Sequence, residues 1–160
     1  MAAPGPRSPA RRPADFAIDG EGAWLYRGSP IRREPLVRML AGMLARAGDG
    51  FVLLTPDQTL RVDVADAPFL VTDCDLDEAA GERRIWFSSS LGERVPLDAE
   101  HPLVMRSSPD GQLKAYVRLR DGLDAMLHRN VFYRLAELAT GPELDGPAGL
   151  LSCGLFFPLE

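Results

Sequence analysis

The sequence predicts an α+β protein made of two small, mostly antiparallel β-sheet halves, each with one main amphipathic helix. Three observations carry this. Short apolar runs bounded by Gly, Pro and Asp recur along the chain, the pattern of strands joined by turns. Only two stretches place apolar residues at the three-and-four spacing of a helix face. At 160 residues the chain suits one ordinary domain or two small ones sharing a core.

The opening MAAPGPRSPARRPA, residues 1–14, holds four prolines and no hydrophobic core. It reads as a disordered Pro/Arg-rich tail, because its composition buries almost nothing, and it lacks the apolar centre of a secretory signal. FAIDGEGAWLYRGSPI then reads as two short strands around a Gly-containing turn. A first helix follows from Pro35 to Ala47: proline favours the first helical turn and drives Glu34 out of the helical region. Leu36, Leu40, Met43, Leu44 and Ala47 make its buried face, and Gly48–Asp49–Gly50 ends it.

FVLLT, LRVDVAD and APFLVTD read as strands, separated by Pro56 and by the Asp66–Ala67–Pro68 corner. DCDLDEAAGE is acidic and poor in large apolar residues, which places a boundary near Gly81, between an N-terminal α+β domain (15–80) and a C-terminal one (81–160). RRIWFSS, ERVPL, PLVMRS and KAYVRLR are further strands. A second helix runs from Gly122 to Ala139, with Asp121 as its N-cap, Leu123, Leu127, Val131, Leu135 and Leu138 as its stripe, and Gly141–Pro142 as its end. GLLSCGLFF reads as a strand returning to the core. No fixed-period repeat marks a duplication.

The formal net charge is −5, and because residues 1–14 contribute three arginines and no acid, the remainder carries 15 basic against 23 acidic groups. So acidic a body repels a phosphate backbone and an anionic membrane surface, which argues against DNA binding. No apolar run approaches the length of a membrane span. The two cysteines, Cys74 and Cys153, make no disulfide framework and suit a reducing compartment, so the chain is expected to be cytoplasmic.

Several motifs in order resemble one known family: W-x-Y-x-G-S-P-I-x-R-x-x-L-V (Trp24 to Val37), L-x-T-P (Leu53 to Pro56), D-A-P-F (Asp66 to Phe69), H-P-L (His101 to Leu103), Y-V-x-x-R-x-G-L-x-A (Tyr116 to Ala125), R-N-V-F-Y-x-L (Arg129 to Leu135) and S-C-G-L-F-F-P-L (Ser152 to Leu159). Together they resemble the bacterial domain-of-unknown-function family 1285 across residues 15 to 160. The resemblance implies a duplicated α+β protein whose C-terminal half is superficially similar to a pleckstrin-homology fold. It also implies a nucleotide-like ligand at the interface of the halves and a role in signal transduction. The chain departs from the family pattern at SSSLG (88–92), in place of a Thr-Asn pair, and at Cys153, near a position that is often Trp.

In GSPIRREPLVRML, Arg32 and Arg33 stand at a helix N-terminus, where unpaired amides already concentrate positive charge. Something anionic should balance them, either a ligand or an internal acid such as Asp66 or Asp19. In LKAYVRLRDGL, strand alternation puts Lys114, Tyr116, Arg118 and Arg120 on one face, with Val117 and Leu119 toward the core. Arg120 then precedes the second helix. Such a face could grip an anion and stack a ring, or pair with acids on a neighbouring strand. If the halves pack symmetrically, both arginine features converge on one cleft. The candidate ligand-binding residues are accordingly Ser29, Arg33, Asp66, His101, Arg118, Arg120 and Tyr133.

Other chemistries find little support. DCDLDE imitates the start of a calcium loop but has Glu78 at the glycine position and Arg84 where a bidentate Glu belongs. Cys74, His101, His128 and Cys153 lack zinc-ligand spacing, so no metal and no cofactor is expected. His128 and Phe132 read as packed helix residues. No nucleophile elbow, Walker or Rossmann pattern is present, so no catalytic residue is assigned. The preferred reading is a binding module for an anionic, nucleotide-like small molecule. The alternative is a protein-interaction adaptor without a small-molecule ligand, and an enzyme with an unfamiliar site ranks third. The sequence leaves the oligomeric state open.

Overall fold

The computed structural model describes residues 12–139 and 148–159. The first half contains β1 (Phe16–Ile18), β2 (Trp24–Tyr26), β3 (Ser29–Pro30), α1 (Glu34–Gly42), β4 (Leu44–Ala47), β5 (Gly50–Leu54) and β6 (Thr59–Val64). The second contains β7 (Phe69–Ala79), β8 (Glu82–Ser89), β9 (Arg94–Pro96), β10 (Leu103–Ser107), β11 (Leu113–Arg120), β12 (Leu123–Leu127), α2 (Arg129–Leu138), β13 (Gly149–Ser152) and β14 (Leu155–Pro158). The fold is α+β in two halves. One six-stranded sheet has the order β3-β2-β1-β6-β5-β4, the other β10-β11-β12-β7-β8-β9, and β13–β14 form a separate hairpin.

The two large sheets share one connectivity. Each consists of two antiparallel three-stranded meanders joined at the centre by parallel pairing of their first and last strands, β1 with β6 and β7 with β12. The duplication that no sequence period reveals is therefore visible in the topology. A single apolar cluster serves both halves: Ile18, Trp24, Leu40 and Leu53 lie in it with Phe69, Val71, Phe87, Val117 and Leu135.

Four sequence expectations need correction. The first helix stops at Gly42 rather than Ala47, because Leu44–Ala47 pairs antiparallel with Gly50–Leu53 and so satisfies its amides in a ladder. Its buried face is Val37, Leu40 and Ala41, whereas Leu36 is exposed. The second helix starts at Arg129, not Gly122. Residues 123–127 form a central strand with both faces covered, Leu123, Ala125 and Leu127 in the main core and Met126 in a second cluster with Ala67 and Tyr116. A strand covered on both faces reads as a continuous apolar run and imitates a helix stripe. Asp121 is thus in a turn, Gly122 takes φ +70°, and a Cβ there would lie 3.0 Å from Cβ of Arg46. His128 is the true N-cap, its ring accepting from the Asn130 amide at 3.1 Å.

The expected boundary near Gly81 falls inside the β7–β8 hairpin, whose turn is Ala80–Gly81. The chain changes sheets at Ala65–Pro68 instead. DCDLDE is acidic because one face of β7 meets cations: Asp73 pairs with Arg134 at 2.5 Å and Asp77 with Arg84 at 3.0 Å. Finally, the closing segment is a hairpin rather than one strand, turning at Cys153 (φ +53°) and Gly154. The tail's residues 1–11 and the Gly141–Pro142 helix end lie outside the described residues.

Candidate functional site

One hollow among the described residues lies at the seam between the halves. The loop after β1 is set by Asp19, whose Oδ1 accepts from the amides of Glu21 and Ala23, both at 2.9 Å. Gly22, at φ +85°, brings this loop so near the second sheet that a Cβ there would lie 3.1 Å from Cβ of Leu70. Beside it, β12 ends and α2 begins. Between the loop, the β10–β11 turn and the start of α2 lies an open cleft of about 920 Å³. Leu70 and Met126 contribute apolar surface to its lining. Glu21, Asp110, Lys114 and Arg129 contribute charge, and Phe132 and Tyr133 contribute rings. Tyr133 is 57% exposed.

Behind Lys114 sits a buried polar group. Asp66, on the connection between the sheets, accepts from the Tyr116 hydroxyl at 2.7 Å, and Lys114 Nζ lies 3.5 Å from its other oxygen and 3.7 Å from Asp110. Burial, reinforced by the Asp66 carboxylate, pushes the Tyr116 hydroxyl well above the usual tyrosine range. Hydrogen bonds from Ser108 and the Gln112 amide hold Asp110 below the ordinary carboxylate value. Arg106 stacks over the Tyr116 ring, 3.8 Å from its centroid.

Of the predicted site residues, only Tyr133 lines the cleft. Asp66 stands one side chain behind it, through Lys114. Arg33 is the N-cap of α1, exposed, with no side-chain cap bond, and it forms no ion pair among the described residues. The charge question at that helix is answered from within: Pro35 removes one amide donor, and Glu34 in the first turn supplies a carboxylate, which Arg38 meets at 2.6 Å. Ser29 lies exposed on the edge strand β3. His101 is engaged in a local turn, its Nδ1 2.8 Å from Asp98 Oδ1. Arg118 pairs with Asp124 at 3.1 Å, beside Arg106 on the same carboxylate at 2.9 Å.

Arg120 is the largest relocation. A register shift between Arg118 and Arg120 pairs Arg118 with Asp124 but Arg120 with Leu123, which turns Arg120 onto the core face of the sheet. There its guanidinium lies 5.1 Å from the Phe69 ring centroid, donates to the Ala41 carbonyl at 2.8 Å and approaches Glu93 at 3.7 Å. Arg33 and Arg120 therefore occupy opposite ends of α1, and they do not share a cleft.

Arg129 is the residue that sequence reasoning missed. With the second helix begun at Gly122 it fell on a helix flank. With His128 as cap it becomes the arginine at the helix start. The signal was the strand-length run Leu123–Leu127 just before it. A second hollow, of about 690 Å³ across β4–β6 near Phe51 and Arg61, holds none of the predicted residues. Among the described residues no three His, Cys, Asp or Glu side chains gather in ligating geometry, and no helix is long and apolar enough to cross a membrane.

Comparison with known proteins agrees with the division at the linker. Residues 8–67 match the N-terminal domain model of the domain of unknown function DUF1285, and residues 68–159 match its C-terminal domain model. No curated protein matches the chain. Among solved structures, a DUF1285 family protein from Silicibacter pomeroyi DSS-3 is 35% identical, with a TM-score of 0.83 over 92% of this chain and 80% of that one. Another from Shewanella baltica OS155 is 27% identical, with a TM-score of 0.59 over 78% of this chain and 91% of that one. The chain belongs to the DUF1285 family.

Proposed function

We propose that the protein is a non-catalytic binding module that holds a small, ring-bearing anionic molecule in the cleft between its halves and acts in signalling in the cytoplasm. One observation carries this reading. Arg129 extends from the start of α2 with no ion pair among the described residues, beside the exposed Tyr133 ring, in a cleft that both halves line. A guanidinium can meet a carboxylate or phosphate with two parallel hydrogen bonds, and an aromatic side chain offers a stacking face. The six strands β7–β12 followed by α2 support the pleckstrin-homology-like reading of the second half. A second reading, the protein-interaction adaptor, draws on Leu36 and Met39, which are 37% and 56% exposed on α1.

A thermal shift panel of nucleotides, aromatic carboxylates and aromatic amino acids on the full chain tests the first reading, since a ligand that binds only the folded state raises its melting temperature. At a ligand concentration near a hundred times Kd the stabilisation is about 2.7 kcal/mol. The expected result is a rise that Arg129→Ala abolishes. A rise that survives Arg129→Ala would move the site elsewhere, and the absence of any rise would favour the adaptor.

A further inference from the structure

The charges lining the cleft specify the ligand more narrowly, on the reading that the cleft is a ligand site. Two cations, Lys114 and Arg129, and two carboxylates, Glu21 and Asp110, are among the residues that line it. The cations are not equivalent. Lys114 lies within 4 Å of both Asp66 and Asp110, so two carboxylates already answer its single charge. Asp66 has a side chain only 8% exposed, and its Oδ2 accepts no hydrogen bond, so the negative charge behind Lys114 is not spread over further donors.

The start of α2 has little anion capacity beyond Arg129. The Asn130 amide is taken by the His128 ring, and the Val131 and Phe132 amides by the His128 carbonyl. With Nδ1 accepting from the Asn130 amide, His128 offers the cleft no donor at that atom. The cleft is thus dipolar, positive at Arg129 and negative toward Glu21 and Asp110. A polyphosphate would set extra negative charge against three carboxylates.

We propose that this cleft takes a zwitterionic ligand with a flat apolar body, its anionic group on Arg129 and its ammonium group on Glu21 and Asp110. The body rests on Leu70 and Met126, alongside the rings of Phe132 and Tyr133, whose centroids are 6.4 Å apart.

Calorimetry on the full chain with one ring in different charge states tests this. The probes are L-tryptophan (zwitterion), indole-3-propionate (carboxylate only) and tryptamine (ammonium only), with ADP as the polyanion. Tryptophan should bind about ten-fold tighter than either singly charged indole, the worth of one charge-assisted hydrogen bond. Arg129→Gln should remove its advantage over tryptamine, and Glu21→Gln its advantage over indole-3-propionate. Glu21 is exposed, so that variant tests the charge without touching the core. Tighter binding of ADP than of tryptophan, lost in Arg129→Gln, would overturn the zwitterion and leave the cleft a ligand site. Tryptophan affinity unchanged from the wild type in both variants would overturn the placement in the cleft. No heat with any probe would overturn the zwitterion, while a rise with another compound of the thermal shift panel, lost in Arg129→Ala, would leave the cleft a ligand site.

Discussion

The two sheets have the same connectivity and different helix positions, and that difference explains where the cleft lies. In the first half, α1 is inserted between the two meanders, directly after the edge strand β3. Its N-cap, Arg33, therefore stands in solvent at the rim. In the second half the corresponding connection between β9 and β10 is a short segment built on the Asp98–His101 turn. The helix comes later, directly after the central strand β12. Its first residue, Arg129, is therefore delivered to the seam between the halves. Both helix starts carry arginine, but topology alone decides which one borders a cleft.

The C-termini, by contrast, are treated alike. Neither helix has a basic residue in its last turn. In each case an arginine from the second sheet reaches in, Arg120 to the Ala41 carbonyl at 2.8 Å and Arg83 to the Leu138 carbonyl at 3.1 Å. A cation at the negative end of the helix dipole meets a terminal carbonyl and the field together. Only Arg120 spans the two halves.

Substitutions in matched positions test how far the likeness extends. The largest effects should come from the shared core: Leu135→Ala in α2 and Leu40→Ala in α1 should each cost about 2–5 kcal/mol. Urea denaturation should show one transition in both variants, because both residues sit in one cluster. Two separate transitions would break the picture of halves that stand or fall together. Next, Arg120→Met should lower stability by about 1–2 kcal/mol and Arg83→Met by about 0.5–1 kcal/mol, the values of a partly exposed charge-assisted hydrogen bond with and without stacking on a core ring. Equal shifts of the urea midpoint would show that spanning the halves adds nothing. The smallest effects belong to the helix starts. Arg33→Asp should raise stability by about 0.5–1 kcal/mol by supplying a cap and removing like charge from the dipole, and His128→Ala should lower it by a similar amount. A loss in Arg33→Asp, measured by thermal denaturation, would mean that Arg33 has a partner after all.

Much of this architecture was legible along the chain. Alternation in IWF and in AYVRL located β8 and β11, and the family motifs pointed to the division into two related halves. The misreadings cluster where one pattern serves two periods. Leu123, Leu127, Val131 and Leu135 keep a four-residue spacing across a strand, a cap and a helix, so the run looked like a single stripe. Leu44–Ala47 is as compatible with a helix as with the edge strand that it forms. The acidic residues of β7 resembled a linker because their cations lie elsewhere in sequence, as Asp73 with Arg134 shows.

The candidate site was less legible, for a related reason. Lys114 and Tyr133 were noticed, but that Lys114 meets two carboxylates, Asp66 and Asp110, was not. Asp66 meets Tyr116 fifty residues away, and Arg120 was moved to the opposite face by a one-residue register shift. Local propensity and apolar spacing determined by themselves that this chain makes short strands, two helices and a common core, since those depend on neighbours a few residues apart. Which arginines are neutralised, which helix start borders the cleft, and which carboxylates share it were decided only by tertiary structure. Electrostatic partnership depends on distance in space, and strand order, not sequence separation, sets that distance.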